Sequence, residues 1–113
     1  MFDIKKIDSE EFLQILDHRE QYQIVDVNEE QDNLSYRMNI HHIPFSELEE
    51  HMKSLNKHEP VVLICKFGER SFFGASILQN DHGFKNVISL TGGTKMLSEF
   101  MDKNENVKSK YVK

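Results

Sequence analysis

Apolar positions in this chain fall into two kinds of spacing, and their alternation predicts an α/β fold. Short apolar runs bounded by polar residues and breakers occur at Ile24–Val27, Val61–Cys65 and Val87–Leu90. Such runs predict buried strands of a parallel sheet. Phe2 to Ile7 predicts a shorter edge strand. Between the runs, apolar residues recur at helical spacing. Asp8 or Ser9 is placed to cap a helix with Phe12, Ile15 and Leu16 on its inner face. Ser46 opens a second helix, with Leu48, Met52 and Leu55 inward and Glu47, Glu49 and Glu50 in its first turn. A third begins at Ser71, with Phe72, Phe73, Ala75, Ile77 and Leu78 as candidate apolar-face positions and Gly83 as its stop. Thr94 to Met101 predicts a fourth. Strands alternating with helices imply a parallel sheet covered on both faces, with right-handed crossovers.

The strand at Val61 ends in the only cysteine, Cys65, followed by Lys66, Phe67, Gly68, Glu69, Arg70 and Ser71. This places a thiol at the carboxyl end of a strand, in a tight loop that feeds a helix N-terminus. Open α/β sheets bind their ligands at that edge. Helix N-termini and nearby cations favour the thiolate form of a cysteine. Backbone N–H groups between Phe67 and Phe73 lack helical partners and can turn inward as an anion nest. Gly68 permits the tight curl, and Glu69 offsets part of the field of Lys66 and Arg70. The competing reading is a buried structural cysteine; the glycine, the arginine and the helix start favour a reactive thiol. Asp26, at the end of its own strand, lies near the same edge and is placed to hydrogen-bond the loop or to cap a strand end.

The segment Cys65–Ser71 resembles the C-x-x-G-x-R-S active loop of rhodanese-like sulfurtransferases. Three further segments fit in order: Ile24–Val27 with its D-V ending, Ile43–Leu48 as I-P-x-x-E-L, and Gly83–Gly93 as G-F-x-x-V-x-x-L-x-G-G. The resemblance spans residues 4 to 101. It implies a rhodanese-like α/β fold, a mainly parallel central sheet with helices on both faces. It also implies transfer of a sulfane sulfur from a donor such as thiosulfate to cyanide, a thiol or a protein cysteine, through a persulfide on Cys65. Lys66 to Ser71 would bind the substrate, Asp26 would support the loop, and no cofactor or metal would be needed. The alternative is a non-catalytic interaction or persulfide-carrier module on the same fold. The chain departs from the family pattern at Asn28, where arginine is usual. It departs again at Ser35–His42, in place of G-H-I-x-G-A, and at Leu97, where tryptophan is frequent. Arg37 is a candidate to replace the missing positive charge.

Phosphatase or arsenate-reductase chemistry on a related scaffold ranks lower. It uses five residues between cysteine and arginine, and here Lys66 to Glu69 leaves four. A thioredoxin-like mechanism would want a second cysteine. The six histidines show no H-x-x-x-H spacing, and the lone cysteine offers no thiolate cluster, so no metal site is expected.

A length of 113 residues suits one domain, placed at residues 1–102, with 103–113 as a polar basic C-terminal tail. The apolar fraction is 38% and the mean hydropathy −0.58. No apolar stretch approaches the roughly 18 residues of a membrane span. The N-terminus lacks the apolar core of a secretory signal, and a single free thiol suits a reducing compartment, so a cytoplasmic location is expected. The net charge of −5 argues against general nucleic-acid binding.

Overall fold

The computed structural model describes residues 3–113. Phe2, the first residue of the expected edge strand, lies outside them. Five parallel strands form one sheet in the order β1-β5-β4-β2-β3. They are β1 Lys5–Ile7, β2 Gln23–Asp26, β3 His41–His42, β4 Val61–Ile64 and β5 Val87–Leu90. The helices are α1 Ser9–Leu16, α2 Asn33–Arg37, α3 Leu48–His51, α4 Glu69–Ser76, α5 Gly93–Asp102 and α6 Glu105–Tyr111.

Side-chain alternation along β4 divides the core in two. Val62 and Ile64 face a cluster with Phe12, Leu13 and Leu16 of α1 and Leu97 and Met101 of α5. Val61, Leu63 and Cys65 face the other cluster, with Leu48 of α3, Ala75 of α4 and Leu78 just beyond it. Both faces of the sheet are therefore covered, as the continuous apolar run Val61–Cys65 requires. After β2 the chain moves outward to β3, then returns across β2 to form β4 before stepping on to β5. The change of direction falls between β2 and β4, the kind of place where open α/β sheets bind ligands, and Asp26 and Cys65 lie at the carboxyl ends of those two strands. The pairing of those strands runs one residue past them: the Val27 N–H donates to the Ile64 carbonyl at 2.8 Å.

Local chemistry sets most boundaries. Asp8 caps α1, accepting from the Glu11 N–H at 2.8 Å while Glu11 accepts from the Asp8 N–H at 3.1 Å. The expected helix at Ser46 is broken into a 3-10 turn, Phe45–Glu47, the short α3, and a second 3-10 turn, Met52–Ser54. Leu48 is nonetheless buried, with Met52 and Leu55 packed against the same cluster.

The third helix differs from expectation in start and facing. It begins at Glu69, with Gly68 as its cap, and Ser71 lies in its first turn. Ser71, Gly74, Ala75 and Leu78 are the buried set, the i, i+3, i+4, i+7 stripe of one helix face. Phe72 and Phe73 therefore point outward. A Cβ on Gly74 would stand 3.1 Å from both Leu48 and Leu63 side chains, so this close approach leaves no room for an aromatic ring. The helix ends in a π-helical turn, Ile77–Asp81, before Gly83 at φ +74°.

Segment 103–113, expected as a polar tail, carries α6. Val107, Tyr111 and Val112 supply an apolar edge that packs on the α1–α5 side of the core. The Tyr111 hydroxyl donates to Asp17 at 2.6 Å.

Candidate functional site

Cys65 is 1% exposed at the end of β4, and its sulfur is already solvated by backbone. The N–H of Gly68 points at Sγ from 3.1 Å and that of Ser71 from 3.3 Å. Gly68 makes this possible with φ +101°, in the left-handed region. The N–H groups of Phe67, Glu69 and Arg70 have no protein acceptor among the described residues. The loop is thus a partial ring of donors around one sulfur atom, the arrangement that stabilises an anion.

Three sets of contacts hold the ring's shape. Ser71 Oγ donates to the Gly68 carbonyl at 3.0 Å and pairs with Ser89 Oγ at 2.7 Å. Its single proton is committed to Gly68, so Ser89 is the donor to Ser71. From the opposite side, the start of α5 binds the loop carbonyls. Thr94 N–H donates to Cys65 O at 2.9 Å and Lys95 N–H to Lys66 O at 3.0 Å. These are N–H groups that a helix N-terminus leaves free. The approach is so close that a Cβ on Gly93 would stand 2.2 Å from Cys65 O.

The third set comes from β2 and is a relay. Asp26 is fully buried but makes no hydrogen bond to residues 65–71. Its Oδ1 accepts from the Asn28 N–H and the Asn28 side-chain amide, both at 2.8 Å. Its Oδ2 accepts from the Asp32 N–H at 2.9 Å and from Ser35 Oγ. The bond to Asp26 fixes the orientation of the Asn28 amide, leaving Asn28 Oδ1 to accept the Lys66 N–H at 3.0 Å. Asn28 O in turn accepts from His42 Nε2 at 2.7 Å. Asp32 accepts from Thr94 Oγ1 at 2.9 Å, joining the relay to the start of α5.

The expected site residues are therefore brought together unequally. Lys66 contributes backbone to the relay and α5, while its ammonium lies outside, 5.5 Å from the centre of the Phe67 ring. Phe67 is 55% exposed. Glu69 and Arg70 are exposed in the first turn of α4. Arg70 has no ion pair within 4.0 Å among the described residues, but its charge reaches Glu29. Glu29 is held below the usual carboxylate range chiefly by the Ser46 hydroxyl at 2.6 Å and its N–H at 2.9 Å, with Arg70 and His42 adding attraction. Arg37 does not replace the missing arginine: its Nε donates to Lys113 O at 2.7 Å. Ser89, Asp32 and Thr94 were not expected at the site. Ser89 had one signal, a lone hydroxyl inside the apolar run Val87–Leu90. One group of side chains among the described residues could share a metal ion, Glu47, Glu50 and His51 on the exposed side of α3. His51 is already paired there with Glu47 at 3.1 Å.

Fold and site define a parallel α/β domain with one cysteine in a strand-to-helix anion loop. The rhodanese-like domain family matches residues 8–99, and the chain belongs to that family. It is 33% identical over 93 residues to the Bacillus subtilis "Putative sulfur carrier protein YrkF", covering 81% of this chain and 50% of that protein. The chain thus spans about half the length of that relative. Among solved structures it is similar to a rhodanese-related protein of Thermoplasma volcanium (26% identity, TM-score 0.68, 85% of this chain and 92% of that one). It is also similar to part of a NAD-dependent persulfide reductase from A. fulgidus (28% identity, TM-score 0.65, 82% of this chain and 16% of that one).

Proposed function

We propose that Cys65 receives a sulfane sulfur, holds it as a persulfide, and passes it to a second thiol. The observation that carries this reading is the pair of N–H groups aimed at Cys65 Sγ from Gly68 and Ser71. The Cys65 thiolate attacks the outer sulfur of a donor such as thiosulfate. A sulfur–sulfur bond forms on Sγ as the donor's own sulfur–sulfur bond breaks, and sulfite leaves with that electron pair. The free N–H groups of Phe67, Glu69 and Arg70 are the donors available to the added sulfur, in the manner of an oxyanion hole. Lys66 and Arg70 lie outside the ring, where they attract an anionic donor. An acceptor thiolate, or cyanide in a test tube, then takes the outer sulfur and returns Cys65 to the thiolate. No step requires a cofactor.

Two versions of this function differ in turnover: a carrier that loads and waits, and a sulfurtransferase that cycles with thiosulfate. The name of the Bacillus subtilis relative, together with the 1% exposure of Cys65, favours the carrier. Intact mass after brief thiosulfate exposure tests what both share. The expected result is a gain of one sulfur atom, removed by cyanide or dithiothreitol and absent from Cys65→Ala. A folded Cys65→Ala that gains the same mass, or a wild-type chain that gains none from thiosulfate or from a low-molecular-weight persulfide, overturns it. Repeated turnover with thiosulfate and cyanide would select the sulfurtransferase over the carrier.

A further inference from the structure

Four large apolar side chains stand exposed around the Cys65 loop: Phe67 at 55%, Phe72 at 38%, Phe73 at 59% and Met96 at 51%. Of the large apolar residues exposed among the described residues, only Tyr36 lies on another segment, α2. Two close approaches tie the loop to α5. Met96 packs on Gly92, and the Gly92 backbone nitrogen lies 3.1 Å from where a Cβ on Gly68 would stand. Phe67 precedes Gly68, and Phe72 meets Phe73 edge to face at 6.2 Å between ring centres. Phe72 and Phe73 are not required by the core, since α4 buries its Ser71, Gly74 and Ala75 face instead. Exposed apolar clusters of this kind mark interaction sites.

Charges at this rim are mixed, and two of its lysines stand apart from any carboxylate. The protein carries a net charge of −5. Yet Lys6 lies 5.6 Å from the centre of the Phe72 ring and Lys66 lies 5.5 Å from that of Phe67. Neither has a carboxylate within 4.0 Å among the described residues, and Arg70 adds a third unpaired cation. Glu69, the Lys95–Glu99 pair at 3.2 Å, Glu29 within the field of Arg70, and Asp8 and Glu10 in the hollow beside Met96 bring negative charge nearby, but none of them lies within 4.0 Å of the two ring-stacked lysines. The thiol itself is buried, so an acceptor must present its own sulfur into the loop. A small free thiol would gain nothing from four apolar side chains and a set of cations outside it.

We propose that this rim is the docking surface for an acidic protein segment that presents a reduced cysteine between apolar residues. The proposal rests on the persulfide reading above. The apolar flanks of the segment cover Phe67, Phe73 and Met96, and its carboxylates meet Lys6 and Lys66. Its thiolate attacks the outer sulfur of the Cys65 persulfide. The new sulfur–sulfur bond forms on the acceptor, the bond to Cys65 Sγ breaks, and Cys65 leaves as thiolate with that electron pair. The exchange involves no external oxidant or reductant.

Two synthetic heptapeptides test the surface, each with a central cysteine between leucines, one ending in aspartates and glutamates, the other in lysines. Versions with serine in place of the cysteine report docking to sulfur-free protein by fluorescence anisotropy. The cysteine versions report transfer from sulfur-loaded protein. The acidic peptide is expected to dock about tenfold more tightly than the basic one and to accept sulfur correspondingly faster. Phe73→Ser and Lys6→Glu should each weaken docking roughly fivefold while discharge to cyanide stays unchanged. Equal docking of the two peptides, or undiminished docking to both variants, overturns the proposal. So does a wild-type dimer in sedimentation that Phe73→Ser disperses, because the occupant would then be a second copy of the chain. Acidic-peptide docking by a protein that takes up no sulfur would support the surface and overturn the persulfide reading, which separates the two failures.

Discussion

Asn28 Oδ1 accepts the backbone N–H of Lys66 at 3.0 Å, with the amide held in that orientation by buried Asp26. A side chain on the β2 exit thereby sets the backbone one residue after the thiol. The Lys66 N–H is taken up outside the ring, while the Gly68 and Ser71 N–H groups turn toward Sγ. Asn28 holds the loop backbone at Lys66, and Asp26 reaches the loop through it.

Asn28→Ala should slow sulfur loading of Cys65 roughly tenfold, the cost of freeing one hydrogen-bonded loop N–H, about 1 to 2 kcal/mol. The loss should fall on the loading rate constant rather than on the thiosulfate concentration giving half-maximal rate. Asn28→Asp should be worse, because a carboxylate cannot donate to Asp26 as the amide does. Stopped-time mass spectrometry supplies both quantities. An Asn28→Ala protein that loads as fast as wild type would remove Asn28 from the mechanism.

The second prediction contrasts two glycines. Gly93 and Gly83 both have positive φ, +62° and +74°. Alanine at Gly83 meets no atom within 4 Å, so its cost is the left-handed backbone alone, about 1 to 2 kcal/mol. Alanine at Gly93 would drive Cβ to 2.2 Å from Cys65 O and 2.4 Å from Lys66 O. Backbone must move, α5 must withdraw from the loop, and the cost should reach about 3 kcal/mol or more. Chemical denaturation of both variants, with loading measured on whatever remains folded, decides between them. Equal destabilisation would mean that the contact between α5 and the loop is not what requires Gly93.

Much of this architecture was legible in the residues because local chemistry carried it. The run Val61–Cys65 reads as a strand buried on both faces, and Gly68 after it as the residue that lets the loop curl tightly. Asp8 and Ser9 marked the start of α1. The outward facing of Phe72 and Phe73 was not legible. An aromatic residue reads as core unless the facing surface is known, and here Leu48 and Leu63 leave space only for Gly74. The loop's supports were hidden for a different reason. Thr94 and Asp32 are 62 positions apart, and Asn28 and Lys66 are 38 apart. Only the strand order brings them together. The elements α2 and β3 have five and two residues, too few to show a period. The docking of α6 rests on Val107, Tyr111 and Val112, which look like isolated apolar residues in a polar stretch.

The docked α6 should respond to pH at both extremes. Asp17 is held below its usual 3.8, chiefly by the hydrogen bond from Tyr111. A folded value below the unfolded one stabilises above 3.8 and is lost as pH falls through the folded value. Tyr111 is raised above its usual 10.0, first by burial and then by its bond to Asp17. That contribution is present below 10.0 and is lost as pH rises through the folded value. Hydrogen exchange of the α6 amides should therefore be slowest on the plateau between these limits and accelerate outside it. Tyr111→Phe should flatten both edges and speed exchange on the plateau. An α6 exchange profile in Tyr111→Phe identical to wild type would show that the helix is held by its apolar edge alone.

The last prediction separates sulfur from phosphate chemistry. A phosphoryl group needs donors on three equatorial oxygens while the cysteine stays in line with the leaving group. Four residues separate Cys65 from Arg70, and two of the loop's N–H groups already converge on Sγ at 3.1 and 3.3 Å. A ring closed that tightly should suit one further sulfur above Sγ better than a phosphate, which would sit too high for in-line attack. Hydrolysis of p-nitrophenyl phosphate should therefore be undetectable beside sulfur loading. One glycine inserted between Gly68 and Glu69 should widen the ring and move the Ser71 N–H away from Sγ, so loading should fall about tenfold or more, by the reasoning used for a lost anion donor. Circular dichroism and thermal melting would show that the insertion protein remains folded. Cys65-dependent phosphatase activity in the unaltered chain, at a rate comparable to its sulfur loading, would show that loop length does not select the reaction.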